Sequence, residues 1–243
     1  MDLITLWFGL VVFLWAGFFV LEGFDFGVGI LARLRGRDEA DRGRMLDTIG
    51  PHWDGNEVWL VCAVGAIFAA FPGWYADLLS ANYLLLVLVL VALIVRGVAL
   101  EYRGKRPEQK WRRRCDNGIL VGSVFAPFGL GVLITGSVPG GVLLLGLCVA
   151  QGYAFLRLKL PPAPGVRTRG AGSWLLFGGT TVAIVLSVVI AFGTGYSVAE
   201  LVPLASGEYG LRVISWMALI IMPVVLGYQF LGYRVLHRRL AAR

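Results

Sequence analysis

Two pairs of acids stand inside stretches of sequence that are otherwise apolar. Glu22 and Asp25 lie three residues apart in the first stretch, and Asp54 and Glu57 repeat that spacing at the head of the second. An i, i+3 spacing sets both members of a pair on one helical face. Ionised carboxylates in hydrocarbon cost at least ~2.5–3.5 kcal/mol each unless paired or hydrated. Acids retained despite that penalty can take up and release protons; the plainer reading is a buried acid that only ties helices together.

Arg96 falls near the end of the third apolar stretch, at a depth close to both acid pairs. It either offsets one of those carboxylates or snorkels to the interface, as long basic side chains near helix ends do. Glu101 and Asp116 stand at the mouth of the same region, where a solvated charge is the expectation. The chain has two histidines, His52 and His237, and the second lies in a basic tail. Haem held by two protein ligands needs facing His or Met side chains, so a bis-histidine site within this chain is not expected. Met222 reads as packing. Cys62, Cys115 and Cys148 show no C-x-x-C spacing and read as buried thiols. No phosphate-binding loop, dinucleotide fingerprint or zinc spacing is present.

The elements that must position these groups follow from composition. Apolar types make up 58% of the 243 residues and charged types 15%, against roughly 45–50% and about 25% in globular proteins. A soluble domain of this size has too little interior to hide so much apolar surface. The 33 glycines follow no collagen period, and three cysteines cannot staple a disulfide scaffold. The fold class is therefore all-α, a polytopic membrane helix bundle. Runs of about 20 residues cross a bilayer, and they fall at about 4–32, 54–72, 78–100, 117–137, 141–160, 173–195 and 211–236. That makes about seven transmembrane helices in one integral membrane domain, 1–243. Residues 4–137 form a first bundle with the polar motifs, and 138–243 a second, shorter half.

The net charge of +7 could point to nucleic acid, but its placement points to a membrane. Twenty of the 22 basic residues sit in four clusters, Arg33–Arg44, Arg103–Arg114, Arg157–Arg169 and Arg234–Arg243. The intervening connections, Pro72–Asp77, Gly136–Gly140 and Tyr196–Gly210, have no Lys or Arg. This alternation is the positive-inside pattern, which puts the N-terminus outside and the C-terminus in the cytoplasm. No nucleic-acid partner is expected. The first span is too long for a signal-peptide core and should stay attached. Pro127 and Pro223 fall inside spans and should kink them. Gly23/Gly27 and Gly118/Gly122 are small-xxx-small pairs that permit close crossings. The stretch Pro161-Pro162-Ala163-Pro164-Gly165 is the most linker-like point of the chain.

The second span is irregular in composition. Its cleanly apolar part, Val58–Phe71, has 14 residues, about 21 Å of helix against ~30 Å of hydrocarbon. The remainder must come from His52-Trp53-Asp54-Gly55-Asn56-Glu57, and irregular polar backbone at that depth needs protein or water around it. That marks a functional site.

Two runs, Glu22-Gly23-Phe24-Asp25-Phe26-Gly27-Val28-Gly29 and Pro51-His52-Trp53-Asp54-Gly55-Asn56-Glu57-Val58-Trp59-Leu60, resemble subunit II of the cytochrome bd quinol oxidases of bacteria and archaea. Val95-Arg96-Gly97-Val98-Ala99, Glu101-Tyr102-Arg103 and the stretch from Trp111 to Gly122 continue the likeness in order. It weakens toward the final helix around Ile220-Ile221-Met222-Pro223.

The resemblance implies a multi-pass subunit of the bacterial or archaeal cell membrane. It would pair as a heterodimer with a haem-bearing subunit I, possessing haem b and haem d, that oxidises quinol and reduces dioxygen to water. Small single-span accessory subunits and the quinone pool are further implied partners. Subunit II ligates no haem in that family, and its acids help deliver cytoplasmic protons. By position, Asp25 and Asp54 match the family's intramembrane acids, with Glu22, Glu57, Arg96 and Glu101 around them as a proton route or charge cluster. Trp53 matches an aromatic position associated in some members with a bound structural quinone; packing is its alternative role. The family usually shows nine spans against seven here, and the missing pair belongs between Lys159 and Gly172. Two other readings stay open, a proton- or small-solute-coupled transporter with its site at the second span, and a purely structural membrane subunit.

Overall fold

In the computed structural model the described residues are 2–160 and 171–241, with side chains described for 2–160 and 172–227. The Pro161–Gly165 stretch, the side chain of His237 and most of the segment between Lys159 and Gly172 lie outside them. The described residues fold as helices: α1 Leu3–Arg35, α2 Glu39–Asp47, α3 Trp53–Ala70, α4 Pro72–Ala81, α5 Tyr83–Tyr102, α6 Gln109–Thr135, α7 Val138–Lys159, α8 Ala171–Gly195, α9 Val198–Leu201 and α10 Glu208–Ala241. Six of these, α1, α5, α6, α7, α8 and α10, are long and apolar enough to cross a membrane. The pair α3–α4, bent by 119°, makes a seventh if it counts as one span.

α1 is the axis of the bundle. Asp2 caps it, its carboxylate accepting from the Thr5 amide at 2.7 Å, and its last turn bears Arg33 and Arg35, which suit the negative end of the helix. Every residue from Glu22 to Ala32 is buried, because α3, α6, α7 and α8 all pack on α1. A helix so enclosed can hold polar side chains that a lipid-facing one could not.

The small residues set the closest crossings. A Cβ on Gly27 would lie 2.1 Å from the Cys148 carbonyl oxygen and 2.8 Å from Gly152 Cα, so only glycine lets α1 and α7 approach this far. On α6, a Cβ at Gly118 would stand 3.2 Å from the Ala99 Cβ, and one at Gly122 would stand 2.4 Å from the Ala92 carbonyl oxygen. Both expected pairs thus mark crossings, the first of α1 on α7 (with Gly23 against Cys148) and the second of α6 on α5.

The second span departs from expectation in two ways. Trp53–Glu57 is not irregular backbone: α3 begins at Trp53, with His52 as its non-helical cap, and runs unbroken to Ala70, which is about 27 Å of helix at 1.5 Å per residue. The irregularity comes at the other end. At Phe71 the chain turns into α4, with Pro72 in its first turn, where a missing N–H does no harm. The connection expected at Pro72–Asp77 is therefore helical. The turn leaves carbonyls of α3 without helical partners, and the segment after α9 supplies them: the Ser206 amide donates to Ala70 at 2.8 Å and its hydroxyl to Ala69 at 2.7 Å.

Pro127 and Pro223 both lie inside continuous helices, α6 and α10. Gly136, with φ of 63°, ends α6 in the left-handed conformation, and Ser137 then caps α7 by accepting from the Gly140 amide. Met222 packs against the main apolar core, as expected. Cys115 and Cys148 are buried, but Cys62 is exposed on α3, on a face that the other described residues leave uncovered. Exposed apolar side chains such as Leu84, Leu88, Ile94, Leu175 and Leu219 form the outer surface that hydrocarbon solvates.

Candidate functional site: a buried carboxylate–arginine cluster

Where α1, α3 and α5 meet, in the half of the bundle nearer the basic loops, the expected acids come together around one guanidinium. Arg96 is wholly buried. Its Nη1 lies 2.5 Å from Glu22 Oε1 and 3.1 Å from Glu57 Oε1, and its guanidinium stacks 4.6 Å over the Phe26 ring. The snorkelling alternative fails for a geometric reason. Gly122 of α6 abuts the Arg96 stem, so closely that a Cβ there would lie only 2.5 Å from the Arg96 Cβ, and the head turns inward to acids on α1 and α3.

Asp25, one turn along α1 from Glu22, is also wholly buried. It accepts from Asn56 Nδ2 at 2.7 Å, and the same amide reaches the Leu21 carbonyl at 3.4 Å. Asn56 therefore joins α3 to the acid-bearing face of α1. A neutral amide inside a polar hexapeptide gives little signal in a sequence, and its role was not foreseen.

The acid pair on α3 is split by the helix. Glu57 turns inward to Arg96 with a side chain 28% exposed, whereas Asp54 is exposed at the outer side of the first turn. Asp54 and Asp25 are thus not in contact; Glu57 and Asn56 stand between the outer acid and the inner ones. Glu101 is exposed and pairs with Lys105 at 3.1 Å, as a solvated charge would. Asp116 does not fit that description. It is 3% exposed and clamped by Arg42 Nε at 3.0 Å and Arg103 Nε at 2.6 Å, so it ties α2 and the α5–α6 connection to the end of α6. Trp53, half-buried at the start of α3, lies against Gly97, where a Cβ would come within 3.4 Å of its ring. Gly97 follows Arg96 directly on α5.

Three acids and one guanidinium share this interior, so one positive charge faces three groups that can be negative. In a low-dielectric interior the surplus must be met by protons, water or further polar groups. Several buried polar atoms here have no hydrogen-bond partner among the described residues: Asp25 Oδ1, Arg96 Nε and Nη2, Ser123 Oγ on α6 and Gln151 Oε1 on α7. Gln151 was also not foreseen; its amide donates at 2.8 Å to the Val20 carbonyl, two residues before Glu22. Such atoms are rare in a packed interior unless water or a further group serves them. Outside the spans, Glu39 of α2 pairs with Arg112, whose guanidinium holds the carboxyl below its ordinary value.

The described residues include one histidine, His52, buried at the head of α3, and no group of three or more His, Cys, Asp or Glu gathers as a metal site among them.

A polytopic helical bundle that buries acids around a single arginine is a multi-pass membrane protein. The chain belongs to the cytochrome bd terminal oxidase subunit II family, which it matches over residues 3–205. It is 46% identical over 178 residues to the cytochrome bd ubiquinol oxidase subunit 2 of Bacillus subtilis strain 168, covering 63% of this chain and 53% of that one. It is 34% identical over 216 residues to the cytochrome bd-I ubiquinol oxidase subunit 2 of Escherichia coli K12, covering 71% of this chain and 57% of that one. The chain thus spans little more than half the length of these relatives.

Proposed function

We propose that the chain acts as subunit II of a cytochrome bd-type quinol:oxygen oxidoreductase in the cell membrane. It pairs there with a haem-bearing subunit I, and its buried cluster passes protons toward that partner. The observation that carries the reading is the Glu22–Arg96–Glu57 bridge with Asp25 and Asn56 beside it, set inside a member of this family.

The partner would hold the haems, which supply electron transfer and oxygen chemistry. What this chain's own residues do is acid–base work. With the basic loops in the cytoplasm, Asp54 stands at the entry, exposed on the first turn of α3. Glu57, partly exposed, is one turn further in and touches Arg96. Glu22 and Asp25 are the enclosed end, where Asn56 orients Asp25 and Arg96 keeps at least one neighbouring charge compensated. A proton arriving at Glu57 relaxes its hold on Arg96, which is then free to strengthen its contact with Glu22; departure reverses the exchange. Trp53 beside Gly97 is the position we assign to a bound structural quinone, its ring offering a face for stacking.

The test is purification at native expression. Co-purification of a haem protein, a haem optical spectrum and quinol-dependent oxygen consumption are the expected results. Solute uptake by vesicles holding the chain without any haem partner would instead favour the transporter reading.

A further inference from the structure

A second feature lies on the outer side of α5, away from the acid cluster. There α5 and α6 leave a groove of about 360 Å³ at their basic ends, with walls from Ile94 and Val98, a floor of Ala99 and Gly118, and a rim of Tyr102, Trp111 and Arg114. The floor is low because Gly118 has no side chain and Ala99 only a methyl group. The Trp111 indole donates to the Tyr102 carbonyl at 2.8 Å, which fixes the aromatic rim.

The charge around that rim is unequal to its partners. Of the seven basic residues in Arg103–Arg114, Arg103, Lys105 and Arg112 are held by Asp116, Glu101 and Glu39. Arg114 has no acidic partner among the described residues, and Arg106 stacks 4.9 Å over the Trp111 ring without one. Two guanidinium groups thus flank an aromatic rim at the mouth of an apolar groove.

The dimensions suit one class of molecule. From Tyr102 back to Ile94 is eight residues, about 12 Å of helix, within the ~15 Å that one leaflet contributes to a ~30 Å hydrocarbon core. Trp and Tyr favour the headgroup level, and clustered arginines there attract anionic lipid. We propose that this groove is a site for one anionic glycerophospholipid, its phosphate on Arg114 and one acyl chain lying along Val98 and Ile94 over Gly118.

The complex is purified in detergent, and phosphatidylglycerol is titrated onto it by native mass spectrometry, with phosphatidylcholine of the same acyl length as comparison. The parent should retain one tightly bound phosphatidylglycerol and bind phosphatidylcholine at least fivefold more weakly. Arg114→Gln, which removes the charge, should erase that preference. Val98→Trp, at a side chain 54% exposed, should fill the groove and lower binding of both lipids at least fivefold. Leu186→Trp, on the exposed face of α8, should change neither. Equal binding of both lipids, unaltered by Arg114→Gln, would mean ordinary annular lipid and overturn the proposal. So would loss of a co-purifying protein subunit, rather than lipid, from Val98→Trp.

Discussion

The two halves of the bundle are solved by different means. Toward the α3–α4 turn, α1 is enclosed by rings: Trp15 stacks on Phe19 with centroids 6.2 Å apart, and Trp74 meets Phe192 at 6.1 Å and Tyr196 at 4.6 Å. The polar atoms buried there include the indole nitrogens of Trp15 and Trp74. Toward the basic loops, the same helix buries Glu22 and Asp25 and meets Arg96, Asn56 and Gln151. The aromatic half is indifferent to charge and is stabilised by contact area and shape. The polar half requires named partners, since each of its groups is unfavourable alone. That contrast locates chemistry in one half and scaffold in the other.

The largest effect is expected where the two halves share a helix crossing. Gly27→Leu would drive a side chain into the α7 backbone at Cys148 and Gly152, so folded protein should vanish from size-exclusion profiles in detergent. A monodisperse peak would show that α1 and α7 separate without disturbing either half.

Within the polar half, Arg96→Ala removes the common partner of two acids, and breaking a buried pair typically costs ~3–5 kcal/mol. Thermal unfolding in detergent should show that loss. Glu22→Gln in the same chain should recover part of it, because the structure pairs Arg96 with Glu22. Asp54→Asn should recover none. Equal rescue by both would dissolve the distinction between the inner and outer acids.

In the aromatic half, Ile67→Ala opens a cavity beside Trp15 and Trp74, for which a loss of roughly 2–5 kcal/mol is typical. Stability should fall by the same amount between about pH 5 and 8, since no carboxyl, imidazole or amine lines the space. A pH-dependent loss would show that the two halves are coupled.

The smallest effect belongs to the surface pair of Glu39 and Arg112. Its contribution is present above the ordinary carboxylate value of 4.5 and is lost as pH falls through the lowered folded value. Glu39→Gln should therefore reduce stability slightly at neutral pH, less so in high salt, and not at all once the carboxyl is protonated.

Much of this was legible in the residues. Spans follow from apolar length, and the acids stand out because their solvent is wrong. The i, i+3 spacing placed Glu22 and Asp25 correctly on the buried face of α1. What spacing does not give is the rotation of one helix against another. The depth of Arg96 matched both acid pairs alike, yet it takes one acid from each, Glu22 and Glu57, while Asp54 turns outward. Asp116 looked solvated because its clamp comes from Arg42 and Arg103, distant in sequence. Helix α4 is short, and its Pro72 start reads equally well as a turn. Asn56 and Gln151 are neutral, so no solvation penalty advertised them.

The central claim is that the polar half moves protons rather than only joining helices. Asp25→Asn preserves shape and can still pair with Asn56 through its remaining oxygen, while it removes the titratable proton. The decisive measurement is quinol-dependent oxygen consumption per haem in the purified complex, parent against Asp25→Asn. The account predicts normal assembly and haem spectra, with turnover reduced at least tenfold. Assembly with full turnover per haem would contradict it.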